Sequence, residues 1–394
     1  MTTNLDQRLR EHLAYAYEHA PAVKGLFERA GLTLEAIQSV ADLPKLPVTS
    51  KDQLTAMQQQ DPPFGGWLGV APSSLDRIYL SPGPIYDPFS MEDKALADDA
   101  IDALKQVGFS AGDVVINAFL YHMVPAGLLL DEVVRRTGAT VVPLGPGNTD
   151  VHVKVMLDLK ANGYVGTPSF LAIVLDKAEE MGLPREAVTL QKAFFTAEPY
   201  PPSLRARFEE DYGLKTSQAY GTADLGVIAY EVPGAEGMVL AANQVVELVD
   251  PESGQRVEEG TPGEVVVTKF DRTYPLVRFG TGDMAIAIPG TNRLLALVGR
   301  SGEAVKVRGM FLHPNQLKFV HSMFTGLQAL QAVISREGAR DIVTVRVVKA
   351  PEGQVEDDQL KAALQQAARL NVNAIEWVDT LEDSRLIVDQ RTWD

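Results

Sequence analysis

The chain reads as an α/β protein. Its large N-terminal domain is built on a doubly wound, mostly parallel sheet with an added β unit, and a small mobile α+β domain follows. Three observations predict this. Between residues 92 and 220, short apolar runs alternate with helical patterns. From 238 to 300 the runs shorten and alternate, separated by Gly, Pro and Asp, as in an antiparallel unit. After Arg300 a β-β-α-β succession fills about 90 residues.

The elements follow in order. Residues 7–40 read as helices: Leu9, Leu13, Ala16 and Tyr17 fall near a 3.6-residue period, and LTLEAIQSV resumes after a stop at Gly31. Pro44 and Pro47 break the chain, and Thr49-Ser50-Lys51-Asp52 caps another helix. A helix over 92–107 ends at Gly108, VVINAFL at 114–120 is a strand, and about 126–137 is a helix. Strand 139–144, helix 150–161, strand 164–167, helix 168–181, strand 190–197 and helix 201–212 come next. Ligands of such sheets sit beyond the carboxyl ends of the strands. In the last part QALQAVISR, DIVTVRVVKA and NAIEWVDTL read as strands and DDQLKAALQQAARL as a helix. The domains are predicted at 1–299, with the β unit at about 238–299, and 303–394, with a hinge at about 300–302. Gly302 widens the allowed φ/ψ there, so the small domain is expected to take more than one orientation.

Composition excludes several functions. Across 394 residues, 52 Asp and Glu outweigh 36 Lys and Arg, for a formal charge of −16, and no basic run interrupts this. Nucleic acid and anionic lipid are therefore not expected as partners. The absence of cysteine removes disulfides, thiolate nucleophiles and Cys-based metal sites. The opening MTTNLDQRLREHL is too polar for a signal peptide, and the apolar stretch Ala118–Leu130 is too short to span a bilayer. A soluble cytoplasmic protein is expected. There is no Gly-Lys dipeptide and no His-Glu-x-x-His, and Gly145-Pro146-Gly147 reads as a turn.

Three segments together resemble the adenylate-forming (AMP-forming) acyl-CoA ligases, in particular their phenylacetate–CoA ligase branch. Tyr220-Gly221-Thr222-Ala223-Asp224 is similar to that family's Tyr-Gly-x-Thr/Ser-Glu, and Pro275-Leu276-Val277-Arg278-Phe279-Gly280-Thr281-Gly282-Asp283 to its Pro-Leu-Ile-Arg-Tyr-x-Thr-Gly-Asp. Gly299-Arg300-Ser301-Gly302-Glu303, followed by Val307-Arg308-Gly309 and His313-Pro314, is similar to its Gly-Arg-Ser-Asp-Asp hinge, Arg-Gly and Phe-Pro. Thr196-Ala197-Glu198-Pro199 resembles the branch's Gly-Ala-Glu-Pro, and Leu43-Pro44 with Lys51 its N-terminal element.

The resemblance implies a protein that activates a small carboxylic acid as acyl-adenylate and transfers it to CoA, using ATP/AMP, CoA and Mg²⁺, as a homodimer. It gives Asp283 the vicinal ribose hydroxyls and Arg300 the ribose or phosphate. Tyr220 would offer adenine an aromatic face, Gly221 a close backbone approach, and Glu198 with Pro199 the border of the adenine pocket. Thr222 takes the place of a phosphate contact and Asp224 that of a Mg²⁺ carboxylate, with an arm one methylene shorter than Glu. Phe119, Tyr121, His122 and Phe170 would line the acyl pocket.

Two segments depart from the pattern. Where the family has a hydroxyl-rich phosphate loop ending in Gly-Lys-Pro, residues 77–88 keep Ser81, Gly83 and Pro88. Three prolines stiffen this stretch, and Asp87 replaces the Lys, expected to face the γ-phosphate from an exposed loop. Near the C-terminus Asp383 stands at the position of the family's catalytic Lys, with Arg385 the nearest cation. Two readings follow: a ligase with rebuilt phosphate contacts, or a non-adenylating relative that binds AMP or CoA for regulation or another acyl transfer.

Overall fold

Short β-branched and aromatic runs in the middle of the chain pair as the parallel core of one sheet. In this computed structural model, which describes all residues except 1, 82–83, 91–94, 262, 302–304, 309, 313, 339, 352–354, 369 and 393–394, Val114–Asn117 pairs in parallel with Thr140–Pro143 and Gly163–Gly166. The parallel order continues through Lys192–Phe195 to Lys215–Thr222. There the sense reverses: Gly226–Glu231 pairs antiparallel with it, and Met238–Leu240, Arg293–Arg300, Phe279–Ala287, Gly263–Lys269 and Gln244–Val249 extend the sheet. With Thr49–Ser50 beside Phe279–Gly280, the sheet has 12 strands among the described residues. Thr140–Pro143 and Gln244–Val249 are its two edges.

Successive strand residues point to opposite faces, and both faces are covered. Val115, Val165, Phe194 and Ala219 pack with Leu104 and Val133 of helices Ala95–Val107 and Ala126–Arg136. Ile116, Tyr164, Ala193 and Phe195 pack with Met156, Leu171 and Leu175 of helices Thr149–Asp158 and Pro168–Glu180. The doubly wound fold follows from this alternation. No helix among the described residues is long and apolar enough to cross a membrane.

The chain divides into two compact units, Met1–Tyr200 with Leu204–Ser301, and Gly302–Asp394 with Pro201–Ser203. In the second, Leu327–Glu337 and Arg340–Lys349 form an antiparallel pair flanked by Ile387–Asp389 and Ala374–Trp377, both parallel to their neighbours. Helices Pro314–Met323 and Asp357–Ala368 share its separate apolar core. The predicted hinge residues Gly302 and Glu303, and Gly309 and His313 of the later motifs, lie outside the described residues.

Two helices differ from expectation. LTLEAIQSV forms only a 3₁₀ turn at Leu34–Ala36, because Ser39 and Asp42 make a capping box that starts a new 3₁₀ segment at Val40–Lys45. The helix expected over 201–212 is Pro202–Ala206 followed by a π-helical turn at Arg207–Asp211. The predicted cap at Ser50 is formed: its hydroxyl accepts the Gln53 N–H at 3.2 Å.

One core residue makes stability depend on pH. His12, on helix Thr2–His19, is 8% exposed, lies 5.4 Å from Phe270 between ring centroids, and its Nε2 has no hydrogen-bond partner. Burial lowers its pKa from 6.5 to about 4, with Asp271 opposing and Arg272 and Lys269 reinforcing. The unfolded chain thus takes up a proton that the folded chain refuses. Stability is full above pH 6.5 and falls as pH drops toward about 4, by up to roughly 3 kcal/mol. His12→Leu is expected to flatten the urea midpoint across this window. A variant with the parent's acid limb would trace the sensitivity to another group.

Candidate functional site

The carboxyl end of strand Lys215–Thr222 meets the start of strand Phe279–Ala287 through side chains 63 residues apart. The Thr281-Gly282-Asp283 segment turns at Gly282, whose φ is +74°. The Asp283 N–H donates to Thr281 Oγ1 at 3.1 Å, and the Thr281 hydroxyl donates to the Val265 carbonyl at 2.9 Å. Asp283 Oδ1 receives Arg300 Nε at 3.1 Å, and Oδ2 receives the Tyr220 hydroxyl at 3.0 Å. A carboxylate has about four acceptor sites, so each oxygen keeps roughly one for a further donor. Because the Asp283 side chain is 15% exposed, those sites can be reached. A vicinal diol, with two hydroxyls on adjacent carbons, matches such a pair of acceptors.

Tyr220 is only 7% exposed and packs in the main apolar core. Burial first, then the Asp283 carboxylate, raise its phenol well above the usual value, so it serves as a donor. Its hydroxyl is fixed on the Asp283 carboxylate. The register shifts between Tyr220 and Gly221, and a Cβ at Gly221 would lie 2.4 Å from the Gly226 carbonyl oxygen. The missing side chain therefore accommodates the chain's own backbone. Gly221→Ala is expected to cost about 1–3 kcal/mol and to weaken AMP binding by displacing Tyr220. Unchanged urea midpoints would show that the bulge yields freely.

Glu198 lies beyond strand Lys192–Phe195, and its Oε1 accepts the Ser169 N–H at 2.7 Å in the first turn of helix Pro168–Glu180. A carboxylate there is favoured by the helix dipole. Ala197, beside it, holds a left-handed φ of +81°, a strained form for a residue with a side chain. Pro199 is exposed. Of the expected acyl lining, Phe119 packs with Leu130 and Val133 on one face of the sheet. Phe170 packs on the other, edge-on to His152 at 5.0 Å. The Tyr121 hydroxyl donates to Asp131 Oδ2 at 2.8 Å, and His122 is exposed. The four do not share one apolar cluster.

The phosphate-loop stretch corrects an expectation. Arg77–Ser81 and Ile85–Phe89 are the strands of a β-hairpin, with Tyr79 opposite Asp87, so Asp87 sits on a strand and not in an exposed loop. The hairpin's outer face carries exposed Ile78 and Tyr86, while Tyr79, Ser81 and Asp87 turn inward. Ser81 Oγ lies 3.5 Å from the Ile85 carbonyl, and Gly83 lies outside the described residues. Burial first, and the nearby Asp224 second, raise the Asp87 pKa well above the usual carboxylate value. Asp224 is 4% exposed; its Oδ2 pairs with Lys51 Nζ at 3.0 Å, and its Oδ1 has no hydrogen-bond donor. Lys269 Nζ pairs with Asp271 at 2.6 Å. Asp87, Asp224, Lys269, Asp271, Tyr79 and Tyr274 border a cavity of about 20 Å³, room for one water. Thr222 Oγ1 accepts the Leu225 N–H at 3.2 Å at the same turn.

Residues 95–270 match the family of AMP-binding enzymes. The chain is 28% identical over 364 residues to phenylacetate-coenzyme A ligase of Aromatoleum evansii, covering 89% of this chain and 82% of that protein. It is also 28% identical over 360 residues to phenylacetate-coenzyme A ligase of Thermus thermophilus, with 87% and 80% covered. These matches make the chain similar to the adenylate-forming enzymes, on their phenylacetate–CoA ligase-like branch. Among solved structures, 2-hydroxyisobutyryl-CoA ligase in complex with 2-HIB-AMP and CoA matches with a TM-score of 0.91 at 22% identity. That match covers 99% of this chain and 90% of the other, and establishes the common fold.

In the C-terminal tail Arg385 folds onto Asp383, Nε to Oδ2 at 2.8 Å, so the tail's candidate cation is paired two residues away. The cations at the hairpin corner are instead Lys51 and Lys269. Lys51 is marked by the N-terminal element, whereas Lys269 and Glu264 escape motif reading. The available signal is charge at buried positions: every residue of Gly263–Lys269 is buried, yet the strand carries Glu264 and Lys269.

Proposed function

We propose that the protein is an AMP-forming acid–CoA ligase that joins a small carboxylic acid to AMP and passes the acyl group to CoA. The observation that carries this reading is the Asp283 carboxylate, held by Tyr220 and Arg300 with its side chain 15% exposed. In this reading Asp283 takes the two ribose hydroxyls of the nucleotide, and Arg300 and Tyr220 hold the carboxylate in the required plane. Glu198 and Pro199 border the base, and Thr222 lies on the phosphate side. The likeness to phenylacetate–CoA ligases favours this ligase over a non-adenylating relative.

A Mg²⁺ ion takes one or two carboxylates together with water and phosphate oxygens. Among the described residues no group of three or more His, Asp or Glu could cage a metal. Asp224 Oδ1 is the donor that fits a Mg²⁺ arriving on the nucleotide, which there would neutralise phosphate charge. The C-terminal unit is taken as a lid that changes orientation about residues 300–302.

The reading is tested by incubating the protein with ATP, CoA and a panel of aryl and short acyl acids, and following AMP and acyl-CoA by chromatography. At least one acid is expected to yield both products in equal amounts. AMP release without thioester, or no AMP with any acid, would overturn it.

A further inference from the structure

We propose that Glu264 is a positioning residue for nucleoside recognition, holding the Thr281–Asp283 turn in its ribose-accepting form without touching the ligand. Strand Gly263–Lys269 pairs with Phe279–Ala287 through a register shift between Glu264 and Val266. Such a bulge redirects side chains. Glu264 and Val265, within this shift, both contact the turn. Glu264 Oε1 accepts the Gly282 N–H at 3.0 Å, and the Val265 carbonyl accepts the Thr281 hydroxyl at 2.9 Å. From the other side the Ser301 N–H donates to the Gly282 carbonyl at 2.8 Å. The Gly282 peptide is thus bracketed at both ends.

The neighbourhood is shaped to admit this carboxylate. A Cβ at Gly280 would lie 2.7 Å from Glu264 Oε1, so any side chain at that position would push Glu264 off the turn. Glu264 is itself 9% exposed. Burying an acid beside a second acid, Asp283, is electrostatically unfavourable and needs hydrogen bonds to offset it. Stability alone gives no reason for a second carboxylate at this turn. Fixing the left-handed Gly282, and with it the direction of Asp283, does. Ser301 is also the last residue of the first compact unit, so the same contact ties the ribose turn to the chain's point of exit.

This inference rests on the reading of Asp283 as the ribose acceptor, and the test separates the two. AMP, 2′-deoxy-AMP and 3′-deoxy-AMP are titrated by calorimetry into the full chain and its variants. The parent is expected to prefer AMP by roughly tenfold over either analogue, and Asp283→Ala to show no preference. Glu264→Ala is expected to lose about tenfold in AMP affinity, with its preference over the analogues falling to within about twofold. Glu264→Gln keeps the acceptor for Gly282 and is expected to stay within about threefold of the parent in both readouts. Should Glu264→Ala fail to fold, Glu264→Asp draws the acceptor back by one methylene and is expected to reduce the same preference. A folded Glu264→Ala, or a Glu264→Asp, that keeps the parent's full ribose preference would overturn the proposal. Preference retained by Asp283→Ala would instead overturn the ribose reading, and the proposal with it.

Discussion

Asp283→Ala is expected to weaken AMP binding by about 3 kcal/mol, roughly a hundredfold. Two hydrogen bonds from ribose hydroxyls to an ionised carboxylate are worth about 1.5–3 kcal/mol each. The upper end is not reached, because the released Arg300 and Tyr220 hydroxyl can themselves meet the ligand. Stability should change by less than about 1 kcal/mol, since the Arg300 side chain of the lost pair is 25% exposed and remains hydrated. Calorimetric titration with AMP, beside a urea curve, measures both. A variant that folds normally and binds AMP like the parent would remove Asp283 from the site.

Arg278→Ala should act on the fold itself and cost about 3–5 kcal/mol. Arg278 is 1% exposed, and its guanidinium joins three parts of the chain. Nε donates to Glu247 Oε2 at 3.0 Å, Nη1 to the Leu46 carbonyl at 2.5 Å and Nη2 to the Gly254 carbonyl at 2.7 Å. Removing it takes one partner from a buried carboxylate and strands two carbonyls, with Arg256, at 3.0 Å, left on Glu247. Arg278→Lys should recover little, because one ammonium cannot span three acceptors held by a planar fork. The free energy of urea unfolding tests this. A loss below about 1 kcal/mol would mean that the Glu247–Arg256 pair suffices.

Local patterning made the parallel core legible. Val114–Asn117, Gly163–Gly166 and Lys192–Phe195 are apolar runs buried on both faces, and each helix between them carries a clear stripe. Leu34–Val40 misled because its apolar spacing suits a helix, while Ser39 and Asp42 satisfy the backbone another way. The site was legible as motifs and hidden as geometry. Tyr220 and Asp283 could each be singled out, but a contact across 63 residues has no local signature. Asp87 read as a loop residue because residues 77–88 stand where the resembled family has its phosphate loop. Its burial comes from packing against Asp224 and Tyr274, which only the folded chain brings near. Arg278 looked like one more motif residue, and its three acceptors lie 24 to 232 positions away.

The outermost parallel strand, Thr140–Pro143, is four residues long, and its proline has no N–H to offer. A sheet border that short, with one donor missing, makes a poor template for another strand. Two copies of the protein meeting there would leave main-chain carbonyls unmatched. Of the two borders of this sheet, the six-residue, proline-free strand Gln244–Val249 is the better ground for self-pairing.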